Sequence, residues 1–205
     1  MRPAHRLLSP AAGLTALALV TLAGRAAEAD PQIYQLDPEH TSIAFMVEHI
    51  GYEKLIGLFL KVEGAFTYDH EAQELKDLSV TIPAESVFTN NEARDTHIRS
   101  QDFLNAAPYP DITFVMYEAE ATGPDSGTVT GDLTIGGSTQ PVTLAVTLNK
   151  IGDYPFPIGG KINNVIGYSA RAEIRRSDFG ITYALADGLV GDTVEILIEG
   201  EAIRQ

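Results

Sequence analysis

The chain of 205 residues contains no cysteine and no tryptophan. Without cysteine there is no disulfide framework, no thiol nucleophile and no thiolate metal site. Basic residues are scarce: 14 Lys and Arg stand against 28 Asp and Glu, a formal charge of −14. Phosphate backbones repel such a chain, which excludes nucleic acid as a partner, and anionic lipid surfaces repel it in the same way. Long apolar runs are missing too. The longest, Leu14–Leu22, falls short of the roughly 20 residues a spanning helix needs, so stable membrane insertion is not expected. No G-x-S-x-G, HExxH or phosphate loop is present. Glu48-His49 and Asp95-Thr-His97 set acids beside histidines, but successive strand residues face opposite sides. His40 and His49 have opposite parity, and the histidines are not at metal-ligand spacing. The chain is therefore not expected to be an enzyme, nor to hold a metal or cofactor.

What is present begins with an export signal. Arg2 and Arg6 precede the short apolar run, and Ala27-Glu28-Ala29 fits a small-x-small cleavage site. Residues 1–29 are thus expected to be a cleaved signal peptide, leaving one domain, 30–205, in the periplasm. Arg2, Arg6, Arg25 and Glu28 leave with it, so the mature chain is two charges more negative than −14.

The mature chain alternates with period 2 through eight runs. They hold Ile43 to His49, Leu58 to Phe66, Leu78 to Ile82, Ile112 to Met116, Val129 to Ile135, Val142 to Leu148, Ile166 to Ile174 and Val194 to Gly200, after a short opening strand at Ile33–Leu36. Gly136-Gly137 signals a hairpin. Gly152–Gly160 and Ser177–Gly191 read as long rim loops, the second with a helical turn. Thr89 to Phe114 is the helical insert: Thr89 with Glu92 suggests a capping box, and Pro108 and Pro110 end any helix. A short helix within about residues 90–104 is suited to plug or line one end of a barrel. The pattern predicts an all-β antiparallel fold with that one helix, either a closed barrel or a sandwich. Its inward set mixes large apolar residues with Gly64, Gly131, Ala170, Ala172 and Gly200. Eight strands enclose an interior that is either filled by side chains or holds one ligand, and periodicity alone leaves both open. A filled core would suit an exported barrel that binds a protein partner or serves in envelope stress; a hydrolase is the weaker alternative.

A set of ordered segments bears on that choice: Asp37-Pro-Glu-His-Thr-Ser-Ile-Ala-Phe45, Val47-Glu-His-Ile-Gly51, Gly57-Leu-Phe59, Gly64-Ala-Phe-Thr-Tyr-Asp69, Arg94-Asp-Thr-His-Ile-Arg-Ser-Gln-Asp-Phe103, Tyr109-Pro-Asp-Ile-Thr-Phe114, Gly131-Asp-Leu-Thr-Ile-Gly-Gly137 and Arg176-Ser-Asp-Phe-Gly-Ile181. In order and near-spacing, over residues 34 to 203, they resemble the YceI-like family, also called polyisoprenoid-binding. The departures are Val62 where an aromatic is common and Leu104 where a second Phe is common. The resemblance implies an elongated, eight-stranded antiparallel lipocalin-like β-barrel with the short helix insert, closed around an isoprenoid lipid, a polyprenol or a ubiquinone tail, and carried in the periplasm. The apolar wall is then expected from Phe45, Val47, Phe66, Val80, Ile82, Phe103, Phe114, Met116, Leu133, Leu144 and Phe179. Head-group contacts at the rim are expected from His49, Arg94, His97, Arg171, Arg175 and Tyr183. The oligomeric state is not set by the sequence.

Overall fold

The computed structural model describes residues 30–205; the expected signal peptide lies outside the described residues. Eleven strands form one antiparallel sheet: β1 Gln32–Leu36, β2 Ser42–His49, β3 Glu53–Phe59, β4 Glu63–Asp69, β5 Glu74–Pro83, β6 Val87–Phe88, β7 Asp111–Gly123, β8 Ser126–Ile135, β9 Ser138–Asp153, β10 Asn164–Arg175 and β11 Val190–Arg204. Eight of them close a ring in the order β1-β4-β5-β7-β8-β9-β10-β11, because β1 pairs with both β4 and β11. The expected eight-stranded barrel is therefore present, with β2, β3 and β6 attached to it.

The attachment arises because β11 changes partner along its length. Leu36 to Tyr34 pair with Ala202 to Arg204. Ser42 to His49 pair with the earlier part of the same strand, from Glu199 back to Val190. A tight corner at Asp37–Thr41 makes the handover. Asp37 N–H donates to the Glu201 carbonyl at 2.9 Å, while Asp37 Oδ1 accepts from Glu39 N–H at 3.0 Å. Asp37 Oδ2 lies 2.7 Å from His40 Nδ1, and this bond raises the His40 pKa above its ordinary value.

The run expected from Leu58 to Phe66 is instead two strands, β3 and β4, with a break at Leu60–Val62. The break resets the parity: Val62 and Phe66 are buried as expected, but Phe59 faces the interior in place of Leu58, and Leu60 is 61 % exposed. Alternation is conserved only while the backbone stays extended, so an unpaired link between strands is where a period-2 reading slips by one residue.

Most of the expected small inward residues do not leave room for a guest. A Cβ at Gly131 would sit 2.6 Å from the Val115 carbonyl and 2.6 Å from the Phe114 ring. One at Gly64 would meet the Ser79 carbonyl at 2.7 Å, and one at Gly200 the Tyr168 hydroxyl at 2.5 Å. Each glycine lets a neighbouring strand or ring approach closely. Gly136 and Gly137, at φ 57° and 83°, make the expected hairpin between β8 and β9.

The helix α1 spans Glu92–Arg99, shorter than the insert that carries it. Its N-cap is Asn91, whose Oδ1 accepts from Arg94 N–H at 3.0 Å, and not Thr89. Thr89 serves a different bond. It is buried with Asp95, whose Oδ1 accepts from Thr89 N–H at 2.8 Å, while Arg94 Nε donates to Thr89 Oγ1. These contacts fasten α1 beside β6, at the end of the barrel that also carries the β2–β3 turn and the 176–190 segment.

Candidate functional site

A cavity of about 810 Å³ runs through the barrel, within the roughly 300–1,000 Å³ typical of small-molecule sites. Its wall is apolar along the middle: Ile43, Phe59, Leu78, Val129, Val142, Val146, Ile196 and Ile198 are among its lining residues. Polar side chains gather at the two ends. Glu48, His49, Arg94, His97, Arg176 and Tyr183 lie at the helix end; Gln73, Asp125 and Ser126 lie at the opposite turns. There Gln73 Nε2 donates to the Pro124 carbonyl at 2.6 Å, tying the β4–β5 turn to the β7–β8 turn. A filled core is thereby set aside. The two groups of buried apolar residues pack around the bore and do not close it.

The expected wall residues sit mainly where alternation puts them. Phe45 and Val47 from β2, Phe66 from β4, and Val80 and Ile82 from β5 line the bore. So do Phe114, Leu133 and Leu144 from β7, β8 and β9, together with Phe103 and Phe179 at the helix end. Met116 is the exception. The β7–β8 register shifts just after it, and it packs half-buried against the neighbouring core, off the lining. Gly57 also has a part here: a Cβ would lie 2.0 Å from the Phe45 ring, so only glycine lets that ring lie across β3.

The rim residues divide. His49, Arg94, His97 and Tyr183 line the cavity. His97, Phe103 and Tyr183 form a three-ring cluster with centroids 5.0 to 5.4 Å apart, and His97 Nε2 is 3.0 Å from Asp102 Oδ2. Arg171 and Arg175, expected at the rim, do not line the cavity. Their neighbours Ala170, Ala172 and Ile174 point inward, so both arginines stand on the outer face. Arg171 pairs with Glu199 at 2.7 Å and Arg175 with Asp178 at 2.9 Å.

Two polar residues at the site were not singled out from the sequence. Tyr168 lines the bore, and burial pushes its pKa up to about 12, against the pull of a hydrogen bond with Thr41. Its parity with Ala170 was the available signal. Arg176 is only 4 % exposed and donates to four backbone carbonyls: Gly191 and Val190 at 2.7 Å, Tyr183 at 2.9 Å and Ile181 at 3.0 Å. It holds the 176–191 segment, with its turn at Arg176–Phe179, over the helix end of the bore. Sequence offers no signal for such a role, because the partners are main-chain atoms.

Outside the bore, Asp37, His40 and Glu201 bring three potential ligand atoms within 4.8 Å of one another. The bonds that Asp37 already makes account for them as the clasp of the β1–β2 corner. Among the described residues no helix is long and apolar enough to cross a membrane.

Three comparisons bear on this site. Residues 34–202 match the model of the YceI-like domain. The chain is 40 % identical over 195 residues to Protein YceI of Escherichia coli O17:K52:H18, covering 94 % of this chain and 96 % of that protein. Among solved structures it is similar to the Campylobacter jejuni YCEI protein, with a TM-score of 0.67, 32 % identity and coverage of 77 % of this chain and 90 % of that one. It also shares its fold with a polyisoprenoid binding domain from Saccharophagus degradans implicated in plant cell wall breakdown. There the TM-score is 0.59, the identity 15 %, and the coverage 84 % of this chain and 98 % of that domain.

Proposed function

This chain belongs to the YceI-like domain family, and from that premise we propose that it is a non-catalytic periplasmic carrier holding one long-chain isoprenoid lipid, a polyprenol or the tail of an isoprenoid quinone. The observation that carries the reading is the distribution of polarity along the bore: apolar walls through the middle, with charged and hydrogen-bonding side chains at its ends. An isoprenoid tail has no polar atoms and needs a dry tube. A small polar head is served at one mouth, where His49, Arg94, His97 and Tyr183 offer donors beside an aromatic cluster. The isoprenoid binding of the Saccharophagus degradans domain is in keeping with this reading.

Capacity sets a testable limit. At about 30 Å³ per water-sized unit, the cavity of about 810 Å³ takes roughly 27 heavy atoms, or about five isoprene units. Each buried CH₂ contributes about 0.8 kcal/mol before ordering costs, so each isoprene unit should tighten binding by at least about tenfold until the bore is full. Titrating delipidated protein with prenols of two to eight units, followed by native mass spectrometry, should show that rise and then a plateau near five units. Affinity independent of chain length, or no binding at any length, would overturn the proposal.

Export is the second part of the reading. The protein recovered from the periplasm is expected to begin at Asp30, measured by intact mass; a protein retaining residues 1–29 in the cytosol would contradict it.

A further inference from the structure

The turn joining β2 to β3 is built against local preference. Its two central residues, Ile50 and Gly51, have φ of 51° and 70°, and Tyr52 N–H donates to the His49 carbonyl at 3.0 Å to close it. Two successive positive φ values at the centre of such a tight turn call for Asn or Gly at both positions. A β-branched residue there is an outlier, and here its side chain is also 45 % exposed. Asparagine would satisfy both the backbone and the solvent. The next residue is equally out of place for water, since Tyr52 is 90 % exposed.

A second segment faces this tip. Ile50 N–H donates to the Leu189 carbonyl at 3.0 Å, and Leu189 is 43 % exposed with Tyr183 at 47 %. Ile50, Leu189 and Tyr183 also line the cavity, so the oily tip and the helix-end mouth are parts of one surface. The charges nearby are not those of an anionic-lipid reader. Glu48 and Glu53 flank the tip, Lys54 is taken by Glu195, the Arg94 guanidinium is bonded to Thr89, and the mature chain is more negative than the −14 of the full sequence.

We infer that the β2–β3 tip, with Leu189 and Tyr183 beside it, docks the barrel mouth on the surface of a zwitterionic lipid bilayer. The inference rests on the carrier reading above: an apolar chain leaving a bilayer for the bore meets water unless the mouth touches the lipid. Tyrosine suits that boundary, with an apolar ring and a wet hydroxyl, and exposed apolar residues at a mouth mark a contact surface. Docking is peripheral and reversible, since so few side chains enter the lipid.

The test uses delipidated full-length mature protein and phosphatidylcholine vesicles carrying ubiquinone-8. The protein is reisolated by gel filtration over time, and its bound quinone is measured. Tyr52→Ser is expected to slow uptake from vesicles at least about tenfold while leaving the affinity for detergent-dispersed ubiquinone-8 unchanged. Ile50→Asn is expected to slow vesicle uptake as well, with a thermal midpoint equal to or above that of the native protein. Ile56→Ser, on an exposed outer-face side chain of β3, should change nothing. Native-like vesicle uptake in both tip variants would overturn the inference. So would faster native uptake from phosphatidylglycerol vesicles than from phosphatidylcholine, or a tip-dependent complex with a protein partner and no vesicle effect. Native protein that takes up no quinone even from detergent would instead sink the carrier reading itself.

Discussion

Ala170→Phe is expected to abolish lipid uptake, by at least about a hundredfold, in a barrel that remains folded. Ala170 lines the bore on β10, between Val146 of β9 and Ile198 of β11. Its methyl group is one of the few small inward features whose space belongs to the cavity. A phenyl ring there projects across the tube and displaces several carbons of the ligand, each worth about 0.8 kcal/mol of burial. Overpacking ordinarily costs about 1–3 kcal/mol in a filled core, but here the added atoms enter open volume, so the thermal midpoint of the lipid-free protein should hold or rise. Thr143→Leu is the matching control on the outer face, where Thr143 is exposed and bonded to Thr130; uptake should be unchanged. Equal loss from both changes, or undiminished uptake by Ala170→Phe, would show that the bore is not where the lipid sits. Gly131 is unsuitable for this test. Its Cβ would strike the β7 main chain, and a failure to bind would report a damaged barrel.

Arg176→Ala carries the largest expected cost in stability. The side chain is buried, and its nitrogens donate to carbonyls at residues 181, 183, 190 and 191. Bonds from a charged donor contribute about 1.5–3 kcal/mol each and are not additive, and the change leaves several acceptors short of partners, so a loss of about 3–5 kcal/mol is expected. For a domain of this size that is a fall in thermal midpoint on the order of 10 °C. Arg176→Lys should rescue little, because one ammonium cannot reproduce the guanidinium fork. Limited proteolysis should then cut within residues 182–189, and lipid retention should weaken as Phe179 and Tyr183 lose their positions. A midpoint within about 2 °C of native would refute the role assigned to Arg176.

The strand pattern was legible because a half-buried strand must alternate, and most expected wall residues follow from that rule. It failed where the chain leaves the sheet. The link at Leu60–Val62 shifted Phe59 inward and Leu60 out, and Met116, the last residue before a bulge, packs into the core off the lining. The glycines misled for a related reason. Composition shows that Gly64, Gly131 and Gly200 are small, but only packing shows whether the space they leave is vacant or already taken by a carbonyl, a ring or a hydroxyl. Arg171 and Arg175 on β10 are expected at the mouth as head-group partners, although the alternation with Ala170, Ala172 and Ile174 places them on the outer face.

Local patterning therefore determined the antiparallel strands, most of their faces, the hairpin at Gly136-Gly137 and the helical insert, since each depends on residues close in sequence. Whether the oily faces meet or stand apart was decided only by the tertiary structure. It depends on β11 serving β1 over one part and β2 over another, on Arg176 gathering distant carbonyls, and on the β4–β5 turn being tied to the β7–β8 turn. Those are relations between segments far apart in the chain, and no spacing within the sequence encodes the distance between two walls.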